Sequence, residues 1–506
     1  MNAKLLNSTL VTVMCFCLFP FSSYSQVPNS HLPDDDWKTS TPEAQGVDST
    51  KLLEMFRELQ ANGGNDLHSI LIVRNGYLIT EGYLSPYHKD TLHNIKSSSK
   101  SILSALVGIA LQRGYLKSLD QKVSDFYPEY VSDPSKSDIT LRHLLTMTAG
   151  LAWSNDQELG SMSPFDLNAW KIVPMRDVPG QKWEYNTMLP HMMSAILTKA
   201  TGEGTKEFAE SALFKQLGIS AVKWSRDNKG FYMGGSEIFL RPRDMAKFGL
   251  LYLNKGAWNG RQVVPKAWIE ESTLPTKDAG RGQCGGNPIR YGYWWWIPDK
   301  GFQARGVNGQ YVFVRPDLNM VVVSTAENQC ALFRYLDPYI FGAATNKGPL
   351  APNPQAQNDL NHLLDQLENP TAKPNGRMPE NATRVSGKEF NLELNKVGMQ
   401  SLMLNFKGNR ECTMRVIMQQ LPIEFPVGLN GNYLIANAGM SLGNNSEQYQ
   451  IASKGSWIDD QTFVVKFHIL GDAVTQTFTM RFAGDDVSVD FGNTFSAIRI
   501  TGKAEK

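Results

Sequence analysis

The chain has 506 residues, 42% apolar and 20% charged, an ordinary globular composition that excludes a disordered or fibrous protein. Its formal net charge of +1 offers no basic field to gather phosphates, so nucleic acid is not an expected partner. A chain of this length is expected to form two or three domains.

Residues 1–25 read as an export signal. Lys4 precedes a mainly apolar run from Leu10 to Phe21, and Ser23 and Ser25 supply small residues for cleavage, which predicts a periplasmic or extracellular protein. The apolar run is shorter than the ~20 residues a bilayer-crossing helix needs, so no membrane span is expected. Residues 26–41, with Pro28, Pro33 and Asp34 to Asp36, read as a flexible leader.

Helical spacing covers Ser49 to Gln60. Apolar runs flanking Asn75-Gly76 predict a hairpin with a two-residue turn. A helix is predicted from Ser97 to about Gln112, with Ile102, Leu103, Leu106, Ile109, Ala110 and Leu111 on its core face. Helical pieces fill Leu141 to Thr201, broken by Pro164, Pro174 and Pro179. Arg243 to Leu253 and Pro265 to Glu271 read as helices, and Tyr291 to Trp296, Gly309 to Val314 and Met320 to Thr325 as strands. Residues 346–384 are rich in Pro, Asn and Gln and read as a linker with a short helix near Asn358 to Leu367. Short alternating runs then predict a separate all-β sandwich or barrel over residues 385–506.

Cys284, Cys330 and Cys412 follow the signal. A Cys284–Cys330 disulfide suits an oxidising compartment; small buried residues are the alternative. The eight histidines are scattered, with no His-x-His or His-Glu-x-x-His pairing, so no metal site is expected. No Gly-rich fingerprint follows a strand and opens a helix, so no cofactor is expected either.

Ser97-Ser-Ser-Lys100 stands where an extended segment meets the first turn of the long apolar helix. A serine there lies at the positive end of the helix dipole, and a lysine three residues later shares its face. A buried amine with a lowered pKa can take the serine proton. Read alone, the same residues describe a helix N-cap and a solvated lysine.

Further segments decide between these readings. His93 to Ala110 resembles the nucleophile helix of β-lactamase-related serine hydrolases, a group of class C β-lactamases, DD-peptidases, esterases and 6-aminohexanoate-dimer hydrolases. Ile139 to Leu151, Pro179 to Tyr185 and Gly234 to Gly249 resemble later segments of the same family, in the same order. The resemblance implies a β-lactamase-like α/β (α+β) fold over residues 42–345, an antiparallel sheet flanked by helices with a helical subdomain. It implies Ser97 as the acylated nucleophile, Lys100 as its general-base partner and Tyr185 as the second proton carrier. The charge of Lys100 is expected to lower the pKa of Tyr185 from ~10, and which of the two is the base stays open.

Two family motifs depart from their usual form. Tyr185-Asn186-Thr187 replaces Tyr-x-Asn, and Thr187 lacks the two-sided hydrogen bonding of an amide. Ala304-Arg305-Gly306 replaces Lys/His-Ser/Thr-Gly, while Gly306 to Gln310 resembles the Gly-x-x-Gly-Gln form of the nylon-oligomer-hydrolase and esterase branch. Gly306 would let substrate approach the strand, and the Val307 N–H would join that of Ser97 in an oxyanion hole. Arg305, Thr187, Asn308 and Gln310 complete the expected substrate-binding set, with Arg305 either a carboxylate ligand or an exposed strand-end charge. Trp153, Trp183 and Trp294 to Trp296 are expected to rim the cleft, at least one of the last three facing the core.

The resemblance implies hydrolysis of a small-molecule ester, amide or peptide through an acyl-Ser97 intermediate. Both departures favour a carboxylesterase or small-amide hydrolase over a β-lactamase. A DD-peptidase or penicillin-binding-like protein acting on cell-wall peptides is one alternative, and a catalytically silent binding protein of the same fold is another.

Overall fold

The structure is a computed structural model that describes residues 37–505 except 63–65, 132, 156–162, 283, 285, 373–377, 443–444 and 494–495, with the side chains of 438–448 also left undescribed. The expected signal over residues 1–25 lies outside the described residues, as does most of the expected leader. The end of that leader is ordered: Trp37 is buried in the core and Thr39 bridges to Leu78 at the edge of the first hairpin.

An eight-stranded antiparallel sheet organises the first unit. Its strands run in the order Tyr77–Tyr83, Leu67–Arg74, Met320–Ala326, Gln310–Arg315, Phe302–Gly306, Trp296–Ile297, Pro288–Tyr291 and Lys277–Arg281. The first two form the expected hairpin, with Arg74 opposite Tyr77 and both turn residues at positive φ, Asn75 at 51° and Gly76 at 83°. Alternation along the strands sends side chains to two cores. Leu71, Val73, Ala304, Val312, Val314, Val321 and Val323 join a core shared with helices Ser99–Gln112, Met188–Thr201 and Pro242–Leu253. Ile70, Ile72, Tyr311, Phe313 and Val322 face the other way, toward Ser49–Ala61 and Pro354–Glu368.

The continuous strand expected over Tyr291 to Trp296 is not formed. Pro288–Tyr291 ends, Trp296 pairs back with Tyr291, and residues 292–295 make the turn, with Trp294 at φ 63°. The Trp294 and Trp295 side chains therefore go into the core, where the Trp294 indole N–H donates to the Leu144 carbonyl at 3.1 Å. Cys284 and Cys330 are disulfide-bonded, and Cys412 is a buried free thiol that burial pushes up to about 12.

A second unit follows helix Glu380–Val385: ten strands from Glu389–Leu392 to Ala497–Ala504 in a sheet that curls, bringing Gly428 beside Lys454, around a core including Met414, Phe425, Phe463, Val465 and Met480. It is a separate C-terminal all-β barrel. The strand Leu421–Gly428 was hidden by Pro422 and Pro426, which a strand tolerates near a sheet edge.

The two units meet across a seam of buried rings. His468 of the barrel lies 3.1 Å from the Tyr87 hydroxyl through Nδ1 and 2.9 Å from the Tyr433 hydroxyl through Nε2. Tyr87 stacks on His68 at 3.8 Å between ring centroids. Burial holds His93 and His468 down at about 3 and pushes His68 well below the usual imidazole value, which disfavours a charge in the seam. Among the described residues, no helix is long and apolar enough to cross a membrane.

Gly108 sits where helix Ser99–Gln112 presses on Trp268; a Cβ there would stand 2.3 Å from the indole. Gly108→Ala is expected to lower stability by about 1–3 kcal/mol through overpacking, measured by denaturant unfolding followed through tryptophan fluorescence.

Candidate active site

Ser97 lies in a single 3-10 turn, Lys96–Ser98, that runs straight into helix Ser99–Gln112. Lys96 enters the turn at φ 49°, a left-handed conformation that costs a residue with a Cβ about 1–2 kcal/mol. Local bonds hold it: the Lys96 N–H donates to Asn94 Oδ1 at 3.0 Å, and the Ser99 hydroxyl to the Lys96 carbonyl at 2.6 Å. The Ser98 hydroxyl donates to the Gln310 carbonyl at 2.6 Å, which ties the turn to the sheet.

Lys100 is almost fully buried. Its Nζ stands 2.9 Å from Ser97 Oγ, 3.3 Å from Thr187 Oγ1 and 2.8 Å from the Gly235 carbonyl oxygen. Among the described residues no carboxylate pairs with it, and burial alone brings the ammonium down from 10.5 to about 7. The amine is therefore largely neutral just above pH 7.

The Tyr185 ring lies 4.9 Å from Lys100 Nζ, and its hydroxyl hydrogen-bonds with Ser97. Trp296 stacks on it at 5.7 Å, and Trp183 and Tyr291 crowd its edges. That packing strips the phenol of water and pushes its pKa well up, with the Ser97 hydrogen bond pulling weakly the other way. The expected lowering by Lys100 does not occur, because an amine that is itself near neutral supplies little charge.

Of the tryptophans expected at the rim, Trp183 and Trp296 flank Tyr185, while Trp153, Trp294 and Trp295 are core residues. Asn186 is also structural, its amide donating to the Trp153 carbonyl at 2.9 Å and accepting from the Met188 N–H at 2.9 Å. Thr187 carries an exposed amide that sequence reasoning did not single out. Asn155 donates through Nδ2 to Thr187 Oγ1 at 2.7 Å and accepts the Thr187 N–H at 2.8 Å. No local signal marks Asn155, which reaches the site only through the tertiary fold.

Strand Phe302–Gly306 runs alongside the Ser97 turn and brings Gly306 and Val307 to it. A Cβ on Gly306 would stand 2.3 Å from the Ile95 carbonyl oxygen, so it is the chain's own backbone that needs this glycine. Val307 is exposed, and Asn308 turns the chain at φ 66°. Gln310 is buried, donating to the carbonyls of Asn308 at 3.4 Å and Ala326 at 2.5 Å, and so braces the turn. Arg305 is not an exposed strand-end charge: it is 8% exposed, its guanidinium 5.4 Å from the Trp296 ring and 5.5 Å from that of Phe333. No carboxylate pairs with it among the described residues, and burial lowers it to about 10. No group of three or more His, Cys, Asp or Glu among the described residues is arranged to hold a metal ion.

The sequence profile of the Beta-lactamase family matches residues 53–364. The chain is 28% identical over 218 residues to the esterase EstB of Burkholderia gladioli, covering 38% of this chain and 54% of that one. It is 21% identical over 281 residues to the 6-aminohexanoate-dimer hydrolase of Paenarthrobacter ureafaciens, covering 50% and 71%. A solved structure from Bacillus anthracis, assigned as a 6-aminohexanoate-dimer hydrolase, superposes with a TM-score of 0.50 at 20% identity, over 62% of this chain and 89% of that one.

The burial of Lys100 predicts a specific pH signature. Its folded pKa lies below the unfolded value of 10.5, so the folded state is penalised in full below about 7 and progressively less as pH rises toward 10.5. Lys100→Met removes that dependence. Its stability relative to wild type is expected to fall by about 2–3 kcal/mol between pH 7 and pH 9, measured by denaturant unfolding at each pH.

Proposed function

The chain belongs to the β-lactamase family, and from that premise we propose that it hydrolyses an ester or amide bond through an acyl-Ser97 intermediate. The observation that carries the reading is the buried Lys100 amine, without a carboxylate partner among the described residues and 2.9 Å from the Ser97 hydroxyl. Neutral Lys100 takes the Ser97 proton as Oγ attacks the carbonyl carbon. The N–H groups of Ser97 and Val307 receive the developing oxyanion. Tyr185, whose burial keeps its hydroxyl protonated, gives its proton to the departing alcohol or amine and is reprotonated from Lys100. Water then attacks the acyl carbon, Lys100 accepting its proton, and Ser97 leaves with a proton returned to Oγ.

The substrate we propose is a small ester or amide and not a β-lactam. Thr187 stands where the family has an amide side chain and Ala304 where it has Lys or His. Asn155, held on Thr187 by two hydrogen bonds, offers an amide beside Lys100 for the acyl side. Arg305, stacked on Trp296, would receive a carboxylate on the substrate; Asn308 and Gln310 would shape the turn beneath it. The family resemblance leaves cell-wall peptides as the second reading. Residues 1–25 as an export signal complete the proposal, and the Cys284–Cys330 disulfide suits the oxidising compartment to which it would lead.

A panel of short p-nitrophenyl esters, nitrocefin, D-Ala-D-Ala peptides and 6-aminohexanoate dimer tests the reading. Turnover is expected on esters or the linear dimer, with nitrocefin slow, and Ser97→Ala is expected to lower kcat/KM by about 10³-fold or more. Activity surviving Ser97→Ala would overturn it. On the acid limb, kcat/KM is expected to fall tenfold per pH unit below about 7, as Lys100 acquires the proton that disables it as a base. A limb that stays flat to pH 5 would remove Lys100 from that role.

A further inference from the structure

The barrel reaches back to the segment that carries Ser97. Its turn at Gly471 and Asp472, between strands Thr462–Ile469 and Thr475–Ala483, lies against residues 92–96. The Gly471 carbonyl accepts the Asn94 N–H at 2.8 Å. Asp472 Oδ1 accepts the Lys96 ammonium at 3.1 Å and the Ala473 N–H at 2.7 Å, so the carboxylate is fixed at the lysine. His468, four residues before Asp472, anchors this turn on Tyr87 of the first unit.

Lys96 is the residue immediately before Ser97, and it alone in the Lys96–Ser98 turn has a left-handed φ, 49°. Lysine has no intrinsic preference for that region, which glycine or asparagine adopts more readily. The conformation must therefore be held by its surroundings. Two holds are local, Asn94 Oδ1 on the Lys96 N–H and the Ser99 hydroxyl on the Lys96 carbonyl; the third comes from the barrel, Asp472 on the ammonium. The ion pair is partly exposed, Lys96 at 22% and Asp472 at 45%, so it contributes little to folding. Its effect falls on orientation, where a small misplacement of a reacting atom is costly.

We propose that Asp472 is a positioning residue for Ser97, through which the appended barrel completes the catalytic unit: its grip on Lys96 holds the turn that aims Ser97 Oγ at Lys100. This rests on Ser97 being the nucleophile.

The test uses the full chain and five variants: Asp472→Ala, Asp472→Glu, Lys96→Met, the Asp472→Ala/Lys96→Met double and, as a control, Asp486→Ala. The readouts are the rate of fluorophosphonate labelling at Ser97, kcat and KM on an active ester of the panel, and the thermal midpoint. Asp472→Ala and Lys96→Met are each expected to slow labelling and kcat by about tenfold with KM nearly unchanged, and the double variant to be no slower than either. Asp472→Glu is expected to recover most of the rate, and Asp486→Ala, an exposed barrel carboxylate away from the seam, to match wild type. Wild-type labelling and kcat in Asp472→Ala would overturn the proposal, as would additive losses in the double variant. If Asp472→Ala does not fold, Lys96→Met and Asp472→Glu decide on the same readouts. Should wild type fail to label at Ser97, the nucleophile assignment falls and this role with it; should Ser97 label equally in wild type and Asp472→Ala, only the positioning role falls.

Discussion

The site is organised by a lysine side chain buried, among the described residues, without a carboxylate partner. A carboxylate beside Lys100 would have kept it charged and useless as a proton acceptor at neutral pH. The fold surrounds the amine with neutral acceptors instead: a backbone carbonyl from Gly235 and hydroxyls from Ser97 and Thr187. These satisfy its hydrogens without fixing its charge. The desolvation that lowers its pKa is a cost to folding, carried by the apolar core around helix Ser99–Gln112.

The same burial acts on Tyr185 in the opposite sense, since the charged form of a phenol is the deprotonated one. One packing environment thus separates two neighbouring groups, a lysine near neutral and a tyrosine firmly protonated. The sequence left open which of the pair is the base; the proposed division of labour rests on the exclusion of water by Trp183, Tyr291 and Trp296. Arg305, whose guanidinium lies 5.4 Å from the Trp296 ring, adds a cationic side chain with no carboxylate partner among the described residues.

What could be read in advance was whatever local spacing encodes. Three residues at the start of a helix put Ser97 and Lys100 on one face, though the family resemblance of His93 to Ala110 was needed to mark them, and the first hairpin was legible because Asn75-Gly76 demands a single turn type. The break at Trp294 was not legible: a run of aromatics reads as strand, and only the backbone shows the turn. Five of the ten barrel strands also escaped, among them Leu421–Gly428, which Pro422 and Pro426 interrupt. Asn155 and Asp472 were illegible for a different reason. Each is an ordinary polar loop residue whose meaning lies in one contact, with Thr187 32 residues away and with Lys96 376 residues away.

The Cys284–Cys330 bond gives the site a covalent boundary. It closes a ring, with a sequence separation of 46, that contains five consecutive strands, Pro288–Tyr291 through Met320–Ala326, and these are neighbours in the sheet. Trp296, Arg305, Gly306 and Val307 belong to the ring, while Ser97, Lys100 and Tyr185 lie outside it. A peptide bond cut anywhere between the two cysteines would leave both fragments joined. By loop-closure entropy the ring restricts the unfolded chain by about 4 kcal/mol. Reduction would therefore lower the stability of the folded sheet that carries Arg305, Gly306 and Val307, while Ser97 and Lys100 lie on a segment the bond does not enclose.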